Sequence, residues 1–231
     1  MKLFFIDKTP FISYKEVPKS QLKEEFQKRL SCILSSSYFK PNEARIERKN
    51  KLMWELDKIL KDKNAKINEK IIKEYFPVQT WLNNPILRNK TKKVENINSV
   101  KNYWKILYTA MKLYDGIWLA TPQIWLDFKM IAVCQLSNDK NEIISSEIMI
   151  NPEIIEKSKE TICNEESCLS LPWISWKVKR SNKIKVKYQT LEWEEKILET
   201  IWFNAAIIQH EIDHLNWILF FDRIKKTRNK S

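Results

Sequence analysis

Between Asn182 and Leu191 apolar and polar side chains alternate, with Ile184, Val186 and Tyr188 on one face and lysines on the other. That period of two predicts a half-buried antiparallel strand. From Phe203 to Leu219 the period changes: Ile207, Ile208, Ile212 and Leu215 recur at helical spacing, which predicts a helix sunk into a core. Ser99 to Asp115 predicts another helix, with Trp104, Leu107, Met111 and Leu113 available to the core and Gly116 as its stop. Phe128 to Leu136 and Ser146 to Ile150 predict strands. Strands followed by a long buried helix give an α+β domain in which antiparallel sheets pack around that helix.

Upstream the pattern is looser. Residues 1–76 are lysine-rich and helical in character, with Ser20 placed to cap a helix through Leu34 and Pro41 to begin another through Lys61. In the second, Ile46, Leu52, Met53, Leu56 and Ile59 form an apolar stripe. The expected organisation is a helical extension over 1–76, a catalytic domain over 77–223 and a basic tail over 224–231.

Within the buried helix lies His210-Glu211-Ile212-Asp213-His214. Four-residue spacing stacks both imidazoles on one helix face, where they can hold one divalent metal, while Glu211 is free to handle the proton of a water. These are the only two histidines in the chain. A catalytic site of this type takes three protein ligands, so the third must be Cys, Asp or Glu, which argues against peptidases that complete the site with a distant His. The Cys-bearing candidate is the turn-rich stretch Glu166-Ser167-Cys168-Leu169-Ser170-Leu171-Pro172, although Cys163 is close by and spacing does not choose between them. A thiolate with two imidazoles suits a soft or borderline metal such as zinc or ferrous iron.

Three motifs in order, Gly116-Ile117-Trp118-Leu119-Ala120-Thr121-Pro122-Gln123, Glu166-Ser167-Cys168-Leu169-Ser170 and His210-Glu211-Ile212-Asp213-His214, make the chain resemble the peptide deformylases from about Pro77 to about Arg223. The resemblance implies that fold, with antiparallel sheets around a metal-binding helix. It also implies the activity: removal of the N-formyl group from the initiator formyl-methionine of nascent polypeptides. Cys168, His210 and His214 would then hold the metal, ferrous iron foremost and zinc as the alternative, with Glu211 as general base and then general acid. The Gln123 side-chain amide and the Leu169 backbone N–H would face the charge growing on the formyl oxygen. Glu166 and Arg180 would brace the cysteine loop as an ion pair. Gly116, Ile117, Phe203, Ala206 and Ile207 would bind substrate.

Tryptophan stands at family glycine positions in Trp81, Trp118, Trp125, Trp173, Trp176, Trp193, Trp202 and Trp217, and the whole chain has one glycine. Glycine is used where φ is positive or backbones approach closely, and an indole serves neither purpose. Leu191-Glu192-Trp193-Glu194 reads as a hairpin turn, and Trp217 as a helix C′ residue, only if glycine is restored. A left-handed backbone costs about 1–2 kcal/mol per residue, against about 5–15 kcal/mol of stability for a whole domain. The expectation is that a codon decoded as glycine, UGA, is rendered here as tryptophan. Random decay of an inactive copy would not send glycines repeatedly to one residue type. Trp54 and Trp104 match no family glycine.

Composition adds little that changes this picture. The net charge is +12, but the abundance of Lys, Asn and Ile is what an AT-rich genome yields, so a solvated basic surface is the first reading of the charge. The densely basic Arg223 to Lys230 raises the ribosome as a partner. Four cysteines form no paired framework, and neither a signal-peptide core nor a run of membrane-spanning length is present. A cytoplasmic protein is expected. The alternatives to the enzyme are a non-catalytic relative that keeps the metal as a staple and binds ribosome or RNA, and a zinc peptidase. Intact Glu211 and Gln123 argue against the first, and the Cys168 loop with Gln123 against the second.

Overall fold

The structure is a computed structural model that describes residues 67–228 apart from 68 and 141. The helices expected between Ser20 and Lys61, and the last residues of the chain, lie outside the described residues. Within them, α1 (Glu69–Tyr75) and α2 (Tyr103–Leu113) precede the strands, and α3 (Trp202–Leu215) and α4 (Phe220–Arg228) follow them. The strands are β1 (Trp118–Ala120), β2 (Met130–Leu136), β3 (Ile143–Lys157), β4 (Thr161–Cys168), β5 (Leu171–Ser181), β6 (Lys183–Gln189) and β7 (Glu195–Ile201). Short 3-10 turns occupy Ile97–Ser99 and Thr121–Ile124.

One antiparallel sheet runs in the order β1-β2-β3-β6-β7, and β4-β5 form a separate two-stranded sheet. The alternation read in β6 is the observed one, with Ile184, Val186 and Tyr188 buried. Its lysines line up with carboxylates on the neighbouring strands, Lys185 2.7 Å from Glu156 and Lys187 3.6 Å from Glu195. Such exposed pairs contribute little each. Two apolar clusters hold the domain together. In one, α2 packs Leu107 and Met111 against Met130, Ala132 and Ile150; in the other, Ile207, Ile208, Ile212 and Leu215 of α3 pack on Ile131, Val133, Ile184 and Val186. The first cluster also takes in Ile72 and Phe76, so the packed core includes residues upstream of Pro77.

Several boundaries differ from the sequence reading, each for a local reason. β3 extends well beyond Ser146–Ile150 because its outer half, largely exposed, pairs with β6 and shows no burial pattern to read. The stretch expected as a turn-rich loop at Glu166–Pro172 is mostly strand: Cys168 closes β4 and Leu171 opens β5. α2 ends at Leu113 and its left-handed C′ residue is Asp115, one residue before Gly116. Asp115 is left-handed (φ 54), its N–H donates to Lys112 O and the Gly116 N–H donates to Met111 O at 2.8 Å, the paired bonds of a Schellman stop. Gly116 is needed for space instead, since a Cβ there would meet Leu169 Cδ1 at 3.1 Å and two carbonyl oxygens at 3.3 Å.

Six tryptophans occupy the left-handed region: Trp81 (φ 84), Trp125 (φ 72), Trp173 (φ 65), Trp193 (φ 70), Trp202 (φ 56) and Trp217 (φ 59). Trp193 sits in the β6–β7 hairpin, where its N–H donates to Thr190 O at 3.1 Å. Trp217 is the C′ residue of α3: its N–H donates to His214 O at 3.2 Å and the next N–H, of Ile218, to Asp213 O at 2.9 Å. Trp118 and Trp176, also expected at glycine positions, lie in strands β1 and β5 with no positive φ.

Candidate metal centre and active site

α3 brings His210 and His214 onto one face, and both are buried. Their Nε2 atoms lie 3.2 Å apart, and Cys168 Sγ lies 3.2 Å from His214 Nε2. The three candidate ligand atoms all fall within 4.8 Å of one another. Cys168 arrives from β4 by strand alternation: Glu166 and Cys168 are buried while Glu165 and Ser167 are exposed, so the first pair faces the helix. The register shift between Ser167 and Cys168 ends the strand beside α3. Cys163, five residues earlier on the same strand, is exposed and not part of this cluster, so Cys168 is the cysteine that the fold brings beside the two histidines.

Burial and neighbouring charges shift several groups around the candidate ligands. Glu166 Oε2 lies 2.8 Å from His210 Nδ1. A carboxylate accepts, so Nδ1 is the donor, and Nε2 is the ring nitrogen turned toward His214. Glu166 in turn takes a forked pair of hydrogen bonds from Arg180, at 2.7 and 2.9 Å. Burial alone would raise its pKa, but the Arg180 and His210 hydrogen bonds and charges outweigh it and pull the group down to about 2. Burial, with His210 and the guanidiniums of Arg180 and Arg88, pushes His214 well below the ordinary histidine value and keeps it neutral. Burial and the Glu211 charge push the Cys168 thiol up to about 12.

Glu211 is wholly buried, and neither carboxylate oxygen has a hydrogen-bond partner. Its nearer oxygen is 3.9 Å from His210 Nε2. Burial, then repulsion from Glu166, raises its pKa well above the ordinary carboxylate value. A carboxylate so placed has stabilising company only if a cation or a polar reactant occupies the adjoining space. Sulfur and two imidazole nitrogens, with this orphaned acid beside them, form a donor set that fits a divalent metal.

Gln123 is held at both ends. Its Oε1 accepts from Ala120 N–H at 2.8 Å, so its NH2 is aimed inward, toward Ser170 Oγ at 3.1 Å and Cys168 Sγ at 3.5 Å. Leu169 follows Cys168 at the turn and packs its side chain over Gly116. Phe203, Ala206 and Ile207 line a cavity with Trp118, Glu165, Glu166 and His210. Gly116 and Ile117 do not line it: the Ile117 carbonyl accepts from Cys134 N–H at 2.8 Å and its side chain joins the first apolar cluster. A larger hollow of about 310 Å³ opens between Ser137–Lys140 and Glu199–Asn204 and contains none of the candidate ligands.

Sequence reasoning gave no role to Asp213, inside the helix motif. It pairs with Arg180 on β5 and with Arg223 on α4, extending the His210–Glu166–Arg180 chain of contacts to the last helix. Its burial on a helix flanked by two ligands was the available signal. Phe220 of α4 stacks on His210, with ring centroids 6.0 Å apart.

Residues 79–230 match the family profile of polypeptide deformylase. A peptide deformylase from Borreliella burgdorferi is 36% identical over 149 residues, covering 64% of this chain and 87% of that protein. The crystal structure of class I type b peptide deformylase from Acinetobacter baumannii with Met-Ala-Ser bound is similar with a TM-score of 0.59 and 33% identity, over 64% of this chain and 97% of that one. Peptide deformylase from Thermotoga maritima gives a TM-score of 0.58 and 34% identity, over 64% and 96%.

Proposed function

The chain belongs to the peptide deformylase family, metal-dependent hydrolases that remove the N-formyl group from nascent polypeptides, and from that premise we propose how its own residues carry the reaction. The observation that carries the proposal is Glu211: a fully buried acid with no hydrogen-bond partner beside three converging ligand atoms. Cys168, His210 and His214 would hold the metal, which when bound supplies Lewis acidity toward water and carbonyl oxygen. Glu211 takes the proton of the water that attacks the formyl carbon, and then delivers it to the departing amine as the C–N bond breaks, leaving formate and a free amino terminus. Gln123 Nε2–H and the Leu169 N–H donate to the formyl oxygen as its charge grows. The anchoring of Gln123 by Ala120 supports that role, since the donor is oriented before substrate arrives. Glu166 and Arg180 hold the His210 ring and the end of β4 in place.

Phe203, Ala206 and Ile207 are assigned to the methionine side chain; Gly116 and Ile117 stand outside that cavity and are not assigned to it. A relative solved with Met-Ala-Ser bound supports a methionyl peptide as the ligand class. The metal is proposed to be ferrous iron, with zinc as the alternative, because thiolate and imidazole suit both. The setting is proposed to be the cytoplasm; among the described residues no helix is long and apolar enough to cross a membrane.

The test separates holding the metal from using it. Glu211→Ala is expected to keep near-stoichiometric metal while deformylation of a formyl-Met peptide falls by about 10²-fold or more. His214→Ala should lose metal and activity together. Metal content falling in Glu211→Ala as it does in His214→Ala would make Glu211 a ligand and overturn the mechanism.

A further inference from the structure

We infer that the working chain carries glycine at positions 81, 118, 125, 173, 193, 202 and 217, and that glycine at 118 opens the substrate pocket beside the metal ligands. Two independent observations converge on this, one from the backbone and one from the cavity.

The backbone observation concerns six of the seven positions. Of the nine tryptophans among the described residues, six have positive φ; every other described residue together contributes only Asp115, Lys140 and Asn151. Aspartate and asparagine tolerate that region, whereas a bulky aromatic side chain is an outlier there. The six positions are scattered along the chain. They lie in the segment after α1 (Trp81), at the end of a 3-10 turn (Trp125), near the start of β5 (Trp173), in a hairpin (Trp193), at the entry to α3 (Trp202) and at its C′ position (Trp217). What they have in common is the φ that glycine adopts freely. For half of them packing does not account for the indole, since Trp173, Trp202 and Trp217 are 44%, 48% and 47% exposed, while Trp81, Trp125 and Trp193 are half-buried. Trp104, inside α2, and Trp176, in β5, have no positive φ and do not line the pocket, so both lie outside the pattern.

The cavity observation concerns Trp118. Its backbone is ordinary strand, but its ring lies 5.9 Å from Phe203 and 6.5 Å from His210, against the pocket wall. The space left among Trp118, Phe203, Ala206, Ile207 and His210 is about 10 Å³, room for one water and too small for any amino-acid side chain. Removing the indole joins that void to the volume of the ring itself, beside the candidate ligands. A single substitution type, tryptophan for glycine, thus explains both the strained turns and the filled pocket. Decoding of one codon as glycine in the cell and its rendering as tryptophan in the printed sequence would produce that substitution throughout. The pocket half rests on the deformylase reading; the backbone half does not.

Peptide sequencing by mass spectrometry of the protein purified from its own cells should read glycine at all seven positions. Tryptophan at any of the six left-handed positions overturns the inference, and tryptophan at 118 overturns its pocket half. Three synthetic genes test the physical consequences: the chain as printed, a chain with Trp→Gly at all seven positions, and one with the six left-handed positions changed and Trp118 kept. The seven-position chain should melt higher than the printed one by at least about 10 °C. It should exceed the chain that keeps Trp118 in kcat/KM on a formyl-Met peptide by at least about tenfold, with equal metal content in both. Equal melting and equal activity for the printed and seven-position chains would overturn the inference. A seven-position chain that melts higher and holds metal, yet leaves the formyl peptide intact, would overturn the deformylase reading while the backbone half stands.

Discussion

Cys168 and Glu166 show how the environment of single residues sets the chemistry. With its thiol pushed up to about 12 by burial and by the Glu211 charge, Cys168 carries its proton at neutral pH until a cation displaces it. Loading Zn²⁺ into metal-free protein at pH 7 should therefore release about one proton per ion, measurable by titration calorimetry in buffers of different ionisation enthalpy. Binding without proton release would count against Cys168 as a ligand. Glu166 has the opposite sign, since Arg180 and His210 overcome its burial and hold it at about 2 against an ordinary 4.5. A depressed folded-state pKa adds stability that is whole above about pH 4.5 and is lost as pH falls toward 2. That contribution is about 3 kcal/mol at neutral pH. Glu166→Gln should accordingly be less stable to urea at pH 7, with the gap narrowing steadily below pH 4.5. A gap independent of pH would show that the charge of Glu166 is not what holds it.

At the scale of elements, α3 is held by contacts from three sides. Its apolar face packs on β2 and β6, β4 and β5 bring Cys168, Glu166 and Arg180 to its ligand face, and α4 closes over its end through Phe220 and Arg223. Asp213 is where the last two meet, facing the guanidiniums of Arg180 and Arg223 at once. Asp213→Asn removes the charge between two cations in a buried setting and should cost about 3 kcal/mol or more. Arg223→Met leaves the Arg180 contact and loses a partly exposed one, so about 1–2 kcal/mol is expected. Thermal or urea unfolding of the two variants checks the order; an Arg223→Met loss equal to that of Asp213→Asn would mean that α4, not β5, is the main anchor of the site.

For the molecule as a whole, lysine and arginine number 41 against 29 acidic residues, and the chain ends in a basic run. The expected tail is not separate from the fold at its start, because α4 continues to Arg228. We propose that this basic end attracts the ribosome, where nascent chains emerge. Cutting after Ile224 would shorten the helix, so the sharper test replaces Lys225, Lys226, Arg228 and Lys230 with Gln. Co-sedimentation with ribosomes should weaken and become less salt-sensitive, with turnover of a short formyl-Met peptide unchanged. Equal co-sedimentation of both forms would rule this end out as the contact.

The sequence by itself determined β6, whose alternation reflects one buried face, and α3, whose apolar positions recur at helical spacing, and it placed the candidate ligand pair on α3, because four-residue spacing on a helix fixes a shared face without reference to anything else. It also marked the tryptophans that fall where a turn or cap needs glycine, since those are local backbone demands. Only the tertiary structure decided between Cys163 and Cys168, which share a strand and differ in which element the strand lays them against. It likewise decided the extent of β3, β4 and β5, whose pairing partners are distant in sequence and whose exposed faces carry no pattern. The protonation of Glu166, Cys168, Glu211 and His214 belongs there too. Their charges are set by burial and by neighbours from other elements, Arg180 above all, and the fold is what makes them neighbours.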